Sequence, residues 1–207
     1  MELRRRLVKF DNLAEDQDNQ KTFRYLNFDV LLTNPPFAGE NPDQGLLRQY
    51  EMAKKEGELK KNVERHILFI ERSLDMVKPG GRIAIILPQG VLNNTNMKYV
   101  RDHLFDKARI LAVIGLHGNT FKPHTGTKTS VLFLQKWEGQ PLKDYPIFMA
   151  VSKKPGKDNS GKYVYKKDDK GNFMYNSQAR KVLDHDLDDI AEAFIKFAKE
   201  QKFSFWK

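Results

Sequence analysis

Asn34-Pro35-Pro36-Phe37 is a short stretch whose residue types, at this spacing, converge on one chemical task. Asn34 offers a side-chain oxygen, Pro35 a backbone oxygen and Phe37 an aromatic face. Pro35 and Pro36 lack an N–H, fix φ and push the residue before each to extended geometry, so the turn is stiff and its carbonyls are free to accept hydrogen bonds. Two fixed acceptors beside a ring-binding face suit methylation of an exocyclic amino group conjugated to a ring or carbonyl. The lone pair of such an amine is delocalised. It becomes nucleophilic only when both N–H bonds are held by acceptors that favour pyramidal nitrogen, a role for Asn34 and Pro35. Phe37 would stack on a base rotated out of a duplex, a contact worth about 1–3 kcal/mol. An Asn-capped proline turn that merely closes a strand uses the same tetrapeptide, so the surrounding elements decide between the two.

The run Phe28-Asp29-Val30-Leu31-Leu32-Thr33 that leads into this turn is short, apolar and partly β-branched, which predicts a central strand of a parallel sheet covered on both faces. The turn then falls at the carboxyl edge, where open α/β sheets bind ligands. Ala38 to Lys60, with four glycines and prolines among many charges, reads as a loop or weak helix, either a lid over the site or an insertion. Val63, Ile67, Ile70, Leu74 and Val77 recur at helical spacing up to the stop Lys78-Pro79-Gly80-Gly81, and Arg82 to Leu87 forms the next strand, also expected to be buried on both faces. Strand, helix and strand in this order make a right-handed parallel crossover. Pro88 to Asn94 is then a loop beside the Asn34 turn, with a second helix from Thr95 or Asn96, either of which serves as its cap, to about Phe105, turning Val100 and Leu104 inward. Ile110 to Leu116 and Ser130 to Gln135 are strands with no helix between them, hence an antiparallel hairpin. Its long tip carries Phe121, Lys122, His124, Thr125, Thr127 and Lys128, groups suited to phosphate, or else to an ordinary polar surface loop. Pro146 to Val151 and Lys162 to Lys166 read as two short strands around a Gly156 to Gly161 turn, and Leu187, Ile190, Phe194 and Phe197 place one apolar face on a terminal helix.

Across 207 residues, 36 Lys plus Arg against 27 Asp plus Glu leave a net charge of +9, which favours a polyanionic partner. Zero cysteines exclude disulfides, thiolate metal sites and a cysteine nucleophile, and no metal site is expected. No apolar run approaches the roughly 18 residues of a membrane span and no signal-peptide core is present, so no membrane partner and a cytoplasmic location are expected.

In order along the chain, Asn34-Pro35-Pro36-Phe37, Gly80 to Leu92, and Phe121-Lys122-Pro123-His124-Thr125-Gly126-Thr127-Lys128-Thr129-Ser130 resemble the modification subunit of type I restriction-modification systems, an N6-adenine DNA methyltransferase. The resemblance runs from about Asp11 to Trp137. It implies an α/β, Rossmann-like S-adenosylmethionine-dependent methyltransferase sheet, partial because its N-terminal strands are missing, with a terminal antiparallel β-hairpin and a C-terminal α-helix. It also implies that Asn34 and Pro35 hold the adenine amino group, that Pro36 and Phe37 complete the catalytic turn with Phe37 on the flipped ring, and that Phe121 helps to hold the base while Lys122, Thr125 and Lys128 meet DNA. Asp29 matches the strand-leading acid and is expected to be structural. In this family the glycine-rich cradle of S-adenosylmethionine and its ribose-holding acid precede the Asn-Pro-Pro-Phe strand, whereas here no glycine precedes Gly39, and Asp11 alone matches an acidic cofactor position. The expectation is therefore a target-base half of a catalytic domain at 1–137 and an extension at 138–207. Its partners would be DNA, specificity and restriction subunits, and a chain or segment supplying the cofactor half, with the isolated chain inactive. Two other readings stay open: a truncated relic that only binds DNA or partner subunits, and a methyltransferase of a protein glutamine or an RNA base.

Overall fold

The structure, a computed structural model, describes residues 27–205; Asp11, and the basic run Arg4-Arg5-Arg6 near the start of the sequence, lie outside the described residues. In chain order it contains β1 (Phe28–Thr33), β2 (Glu40–Asn41), α1 (Gln44–Leu47), β3 (Lys54–Lys55), β4 (Glu58–Leu59), β5 (Val63–Glu64), α2 (Arg65–Met76) and β6 (Val77–Pro88). It continues with α3 (Gly90–Asn93), a 3-10 turn at Thr95–Met97, α4 (Lys98–Lys107), β7 (Ala108–Gly115), β8 (Thr129–Lys136), β9 (Phe148–Val151) and α5 (Leu187–Glu200). Among the described residues no helix is long and apolar enough to cross a membrane.

Five strands form one mixed sheet in the order β1-β6-β8-β7-β9. β1 runs parallel to β6 with α2 between them, the expected crossover, and Thr33 lies opposite Ile85. β8 is inserted antiparallel between β6 and β7, pairing Pro88 with Thr129 on one side and Gly115 with Ser130 on the other. β9 adds parallel to β7. The boundary expected near residue 137 thus falls between β8 and β9, and the segment after it contributes the fifth strand.

Two expectations about burial are corrected. β1 is an edge strand among the described residues, with Val30 47% and Leu32 76% exposed. β6 alternates, because Ile83, Ile85 and Leu87 enter the core while Arg82, Ala84 and Ile86 are half-buried on the opposite face. An uninterrupted apolar run states only that neither face is strongly polar; coverage depends on which helices reach it. α2 and α4 cover one face, burying Ile67, Ile70, Leu74, Val100 and Leu104 against Ile83, Ile85, Leu132 and Leu134. Each such side chain contributes about 1.5–3 kcal/mol relative to exposure. α5 covers the other face only near β7, β8 and β9, where Phe194 stacks on Phe133 at 5.9 Å and meets Phe148 edge-on at 5.5 Å. Asp188 and Asp189 in its first turn favour the positive end of the helix dipole.

Residues 38–60 are neither lid nor loose insertion. α1 and two small ribbons, β2 with β5 and β3 with β4, shape this segment, and Leu47, Tyr50, Met52 and Ala53 enter the main core. Buried Glu71 of α2 accepts the amides of Glu51 and Met52 at 2.7 and 2.9 Å, pinning the segment to the helix. Neither Thr95 nor Asn96 caps α4: they form the 3-10 turn, and Met97 stands at the helix start without a side-chain cap bond. The loop at 88–94 contains α3, and 162–166 is not a strand of the sheet but part of a series of isolated bridges. Close approach explains Gly81, where a Cβ would collide with Val77 Cγ1 and come within 2.9 Å of the Phe28 carbonyl, and a left-handed φ of +75° explains Gly80.

Candidate active site at the carboxyl edge of the sheet

The register brings four connections to one end of the sheet. β1 and β6 end there together, so Asn34 to Phe37 lies beside the Pro88 loop. The antiparallel β8 begins there on the other side of β6, which places the 116–128 tip beside the Pro88 loop, and the Gln89 amide donates to the Lys128 carbonyl at 2.9 Å. β9 ends there too, with the Ser152 amide bonded to the Gly115 carbonyl at 2.9 Å.

Asn34 is exposed at the end of β1, and among the described residues its side-chain oxygen takes part in no hydrogen bond. Pro35 is buried, and no described donor reaches its carbonyl, an acceptor left over where polar groups are ordinarily paired. Phe37 and Phe121 are both half-buried and meet edge to face, ring centroids 5.3 Å apart at 77°. The structure therefore joins two residues separated by most of the sheet topology and leaves next to them two acceptors that no described donor uses. Such a corner can hold both hydrogens of a planar amine and grip its ring.

Around Phe121 the tip is held by its own backbone: the Lys122 amide donates to Asn119 and the Thr125 amide to Phe121. Thr125 Oγ1 accepts the Thr127 amide at 3.1 Å and lies 2.9 Å from the Thr127 hydroxyl, so it shapes the tip as well as facing solvent. Lys128 is exposed and Lys122 half-buried. His117, at the start of the tip, accepts the Asn119 amide on Nδ1 at 3.1 Å, which makes the histidine a turn former. Asp29 sits at the other end of β1, about 16 Å of strand away at ~3.3 Å per residue. Its carboxylate pairs with Lys78 at 2.5 Å, and that hydrogen bond and charge hold its pKa below the usual aspartate range. The pairing joins the amino ends of β1 and β6, a structural role as expected. A groove lined by Asn27, Lys78, Pro79, Gly80 and Glu138 lies at this same amino end, away from Asn34.

Against known protein families, the description N-6 DNA Methylase matches residues 7–206. The chain belongs to the N-6 DNA methylase family. It is similar to the methylase subunit of the type I restriction enzyme EcoEI from Escherichia coli, 32% identical over 119 residues that make up 56% of this chain and 22% of that subunit. Among solved structures it is similar to a class I S-adenosylmethionine-dependent methyltransferase from Listeria monocytogenes, with 25% identity, a TM-score of 0.50, and 60% of this chain and 36% of that one covered. The type I restriction-modification methyltransferase subunit from Streptococcus thermophilus shares the fold at 22% identity and a TM-score of 0.53, covering 88% of this chain and 34% of that one. The chain thus spans between a fifth and about a third of the length of these relatives. The sheet is that of an S-adenosylmethionine-dependent methyltransferase, as the sequence motifs implied.

Sequence reading missed one feature of this edge. Asp158, Asp168 and Asn176 each open a turn with the same hydrogen-bond pattern, and Asp-x-x-Gly at 158–161 and 168–171 was its signal.

Proposed function

We propose that this chain is the target-base half of an N6-adenine DNA methyltransferase of restriction-modification type. The observation that carries the reading is the corner formed by Asn34, Pro35 and the Phe37–Phe121 pair, with its two unused acceptors. The extruded adenine lies against Phe37 and Phe121. Its amino hydrogens point at Asn34 Oδ1 and the Pro35 carbonyl, which draw the nitrogen lone pair out of conjugation and aim it at the methyl donor. Pro36 holds the turn rigid. Lys122 and Lys128 neutralise phosphates beside the base, and Thr125 keeps their loop in shape.

S-adenosylmethionine is the donor that the fold implies, and it would supply an electrophilic methyl group. The described residues do not fit it: they hold no glycine-rich turn on a strand next to β1, and none of them pairs with the side of β1 away from β6. We assign the cofactor cradle to a segment or chain that adds to that side, and derive no step through it. Specificity and restriction subunits of a type I system are the further partners in this reading, with residues 1–137 carrying the target-base half and 138–207 extending it.

Mixing the chain with the cofactor half of a type I modification subunit, methyl-labelled S-adenosylmethionine, and unmethylated duplex DNA together with RNA and a glutamine-bearing acceptor protein tests the function. Label recovered as N6-methyladenine is expected. Label recovered only in RNA or in protein glutamine would replace DNA as the substrate.

A further inference from the structure

Residues 152–186 leave the carboxyl end of β9 and return to it through a clamp. Asp186 accepts the Ser152 hydroxyl and the Lys153 amide, each at 2.6 Å, and the Lys154 amide at 3.2 Å. Between the two ends of the clamp one turn is used three times. Asp158 Oδ1 accepts the amides of Ser160 and Lys162, Asp168 Oδ1 those of Lys170 and Asn172, and Asn176 Oδ1 those of Gln178 and Arg180. In each turn the fourth residue has a left-handed φ: Gly161 +88°, Gly171 +84° and Ala179 +56°. The chain then bridges back across itself at Lys157 with Tyr163, Lys167 with Phe173, and Tyr175 with Lys181.

This triple turn presents rings and cations together. Tyr163 and Tyr175 are 60% and 58% exposed, and Phe173 and Met174 are exposed beside them. Lys181 Nζ lies 4.0 Å from the Phe173 ring centroid, Lys167 5.2 Å from the same ring, and Lys157 5.5 Å from Tyr163. Eight lysines and one arginine stand against five aspartates in 152–186. Four of those carboxylates are engaged: Asp158 and Asp168 by turn amides, Asp184 by Lys154, and Asp186 by the clamp. Among the described residues no carboxylate lies within salt-bridge distance of Lys162 or Lys170. The result is an exposed surface of cations and tyrosines, side chains that bond the phosphates and sugars of a duplex.

Its position is fixed by the tip that carries Phe121. Lys157 Nζ donates to the Lys122 carbonyl at 2.9 Å, and Asn119 Nδ2 to Asn159 Oδ1 at 2.9 Å. A Cβ on Gly161 would meet the Pro123 nitrogen at 2.6 Å, so the first turn abuts the tip backbone to backbone.

We infer that the triple turn at 157–183 is a DNA-binding arm that grips the DNA flanking the extruded base through Lys162, Lys170, Tyr163 and Tyr175. This rests on the DNA reading above, and extends it from the base to its flanks. The test is fluorescence anisotropy of a labelled random-sequence duplex with the full chain over a salt series. Lys162→Gln with Lys170→Gln should weaken binding and reduce the slope of log K against log salt by roughly two, at about 0.9 per phosphate contact. Tyr163→Ser with Tyr175→Ser should weaken binding severalfold while leaving the slope unchanged, because tyrosine hydroxyls bond phosphate and sugar without displacing a counterion. All four side chains are exposed, so thermal melts should match the parent. Both variants binding like the parent, while Lys122→Gln with Lys128→Gln weakens binding, would overturn the arm and leave the DNA reading standing. A parent chain that binds no duplex at low salt would overturn both.

Discussion

The two edges of the sheet are both parallel strands, yet they end in different states. β9 turns Phe148 onto Phe194 and Phe197 of α5, at 5.5 and 5.6 Å, and leaves Met149 and Val151 exposed on its other side. β1 packs half-buried Leu31 against the core but exposes Phe28, Val30 and Leu32, and has no described neighbour beyond it. The helix covers one face of β9 and leaves its outer backbone edge unpaired among the described residues. An edge with open backbone and apolar side chains is a template for another strand, which proteins ordinarily avoid displaying. The two edges thus differ in how far a helix covers one face, and we propose β1, where Phe28, Val30 and Leu32 are all bare among the described residues, as the side to which a further strand adds, with the Asn34 turn at its carboxyl end.

Mutations can break this comparison. Phe194→Ala should destabilise the chain by about 3 kcal/mol, because the ring is shared by Phe133 and Phe148 and nothing else fills its place. Leu32→Gln at the open edge should stay within about 0.5 kcal/mol in the same urea titrations. Equal costs at the two edges would mean that β1 is covered. Gly81→Ala, which forces a methyl against Val77 and the Phe28 carbonyl, should cost about 1–3 kcal/mol by loosening β1 from β6, an effect absent at Gly139, where a Cβ meets nothing.

Much of this architecture was legible in the sequence. The α2 face and the Asn34 turn were readable because period and proline are local signals, whereas the stop expected at Lys78 to Gly81 was misplaced: α2 ends at Met76, and Val77 to Gly81 already run in β6, because pairing with β1 extends the strand back to Val77. The coverage of β1 and β6 was not, since Val30 and Leu32 spell the same apolar run whether or not a helix lies over them. Residues 38–60 hid their core positions because Leu47, Tyr50, Met52 and Ala53 follow no period and are held by a distant carboxylate, Glu71. The third turn of the arm was invisible because Asn176 and Ala179 stand where its siblings have aspartate and glycine.

The smallest expected effect lies away from both edges. Burial lowers the pKa of His66, and the nearby Glu64 carboxylate, 2.9 Å from Nε2, offsets this only in part; the geometry makes no hydrogen bond there. Its folded pKa is then below the unfolded value of about 6.5, so the folded state binds fewer protons and stability is full above that pH and falls as pH drops through the folded pKa. His103 is lowered by burial in the same sense. Melting temperature should therefore decline between pH 7 and pH 5, and His66→Leu should flatten part of that decline. An unchanged slope in the variant would assign the decline to other groups.

The central claim rests on Asn34, and turnover measured beside thermal stability on the same samples tests it most directly. With the cofactor half supplied, Asn34→Ala should lower the methylation rate by about 10²–10³, as expected for one preorganised hydrogen bond to charge developing in the transition state, at an unchanged melting temperature. The exposed position of the side chain and its lack of described hydrogen bonds are why stability should not move. A folded Asn34→Ala enzyme that methylates adenine at the parent rate would contradict the account.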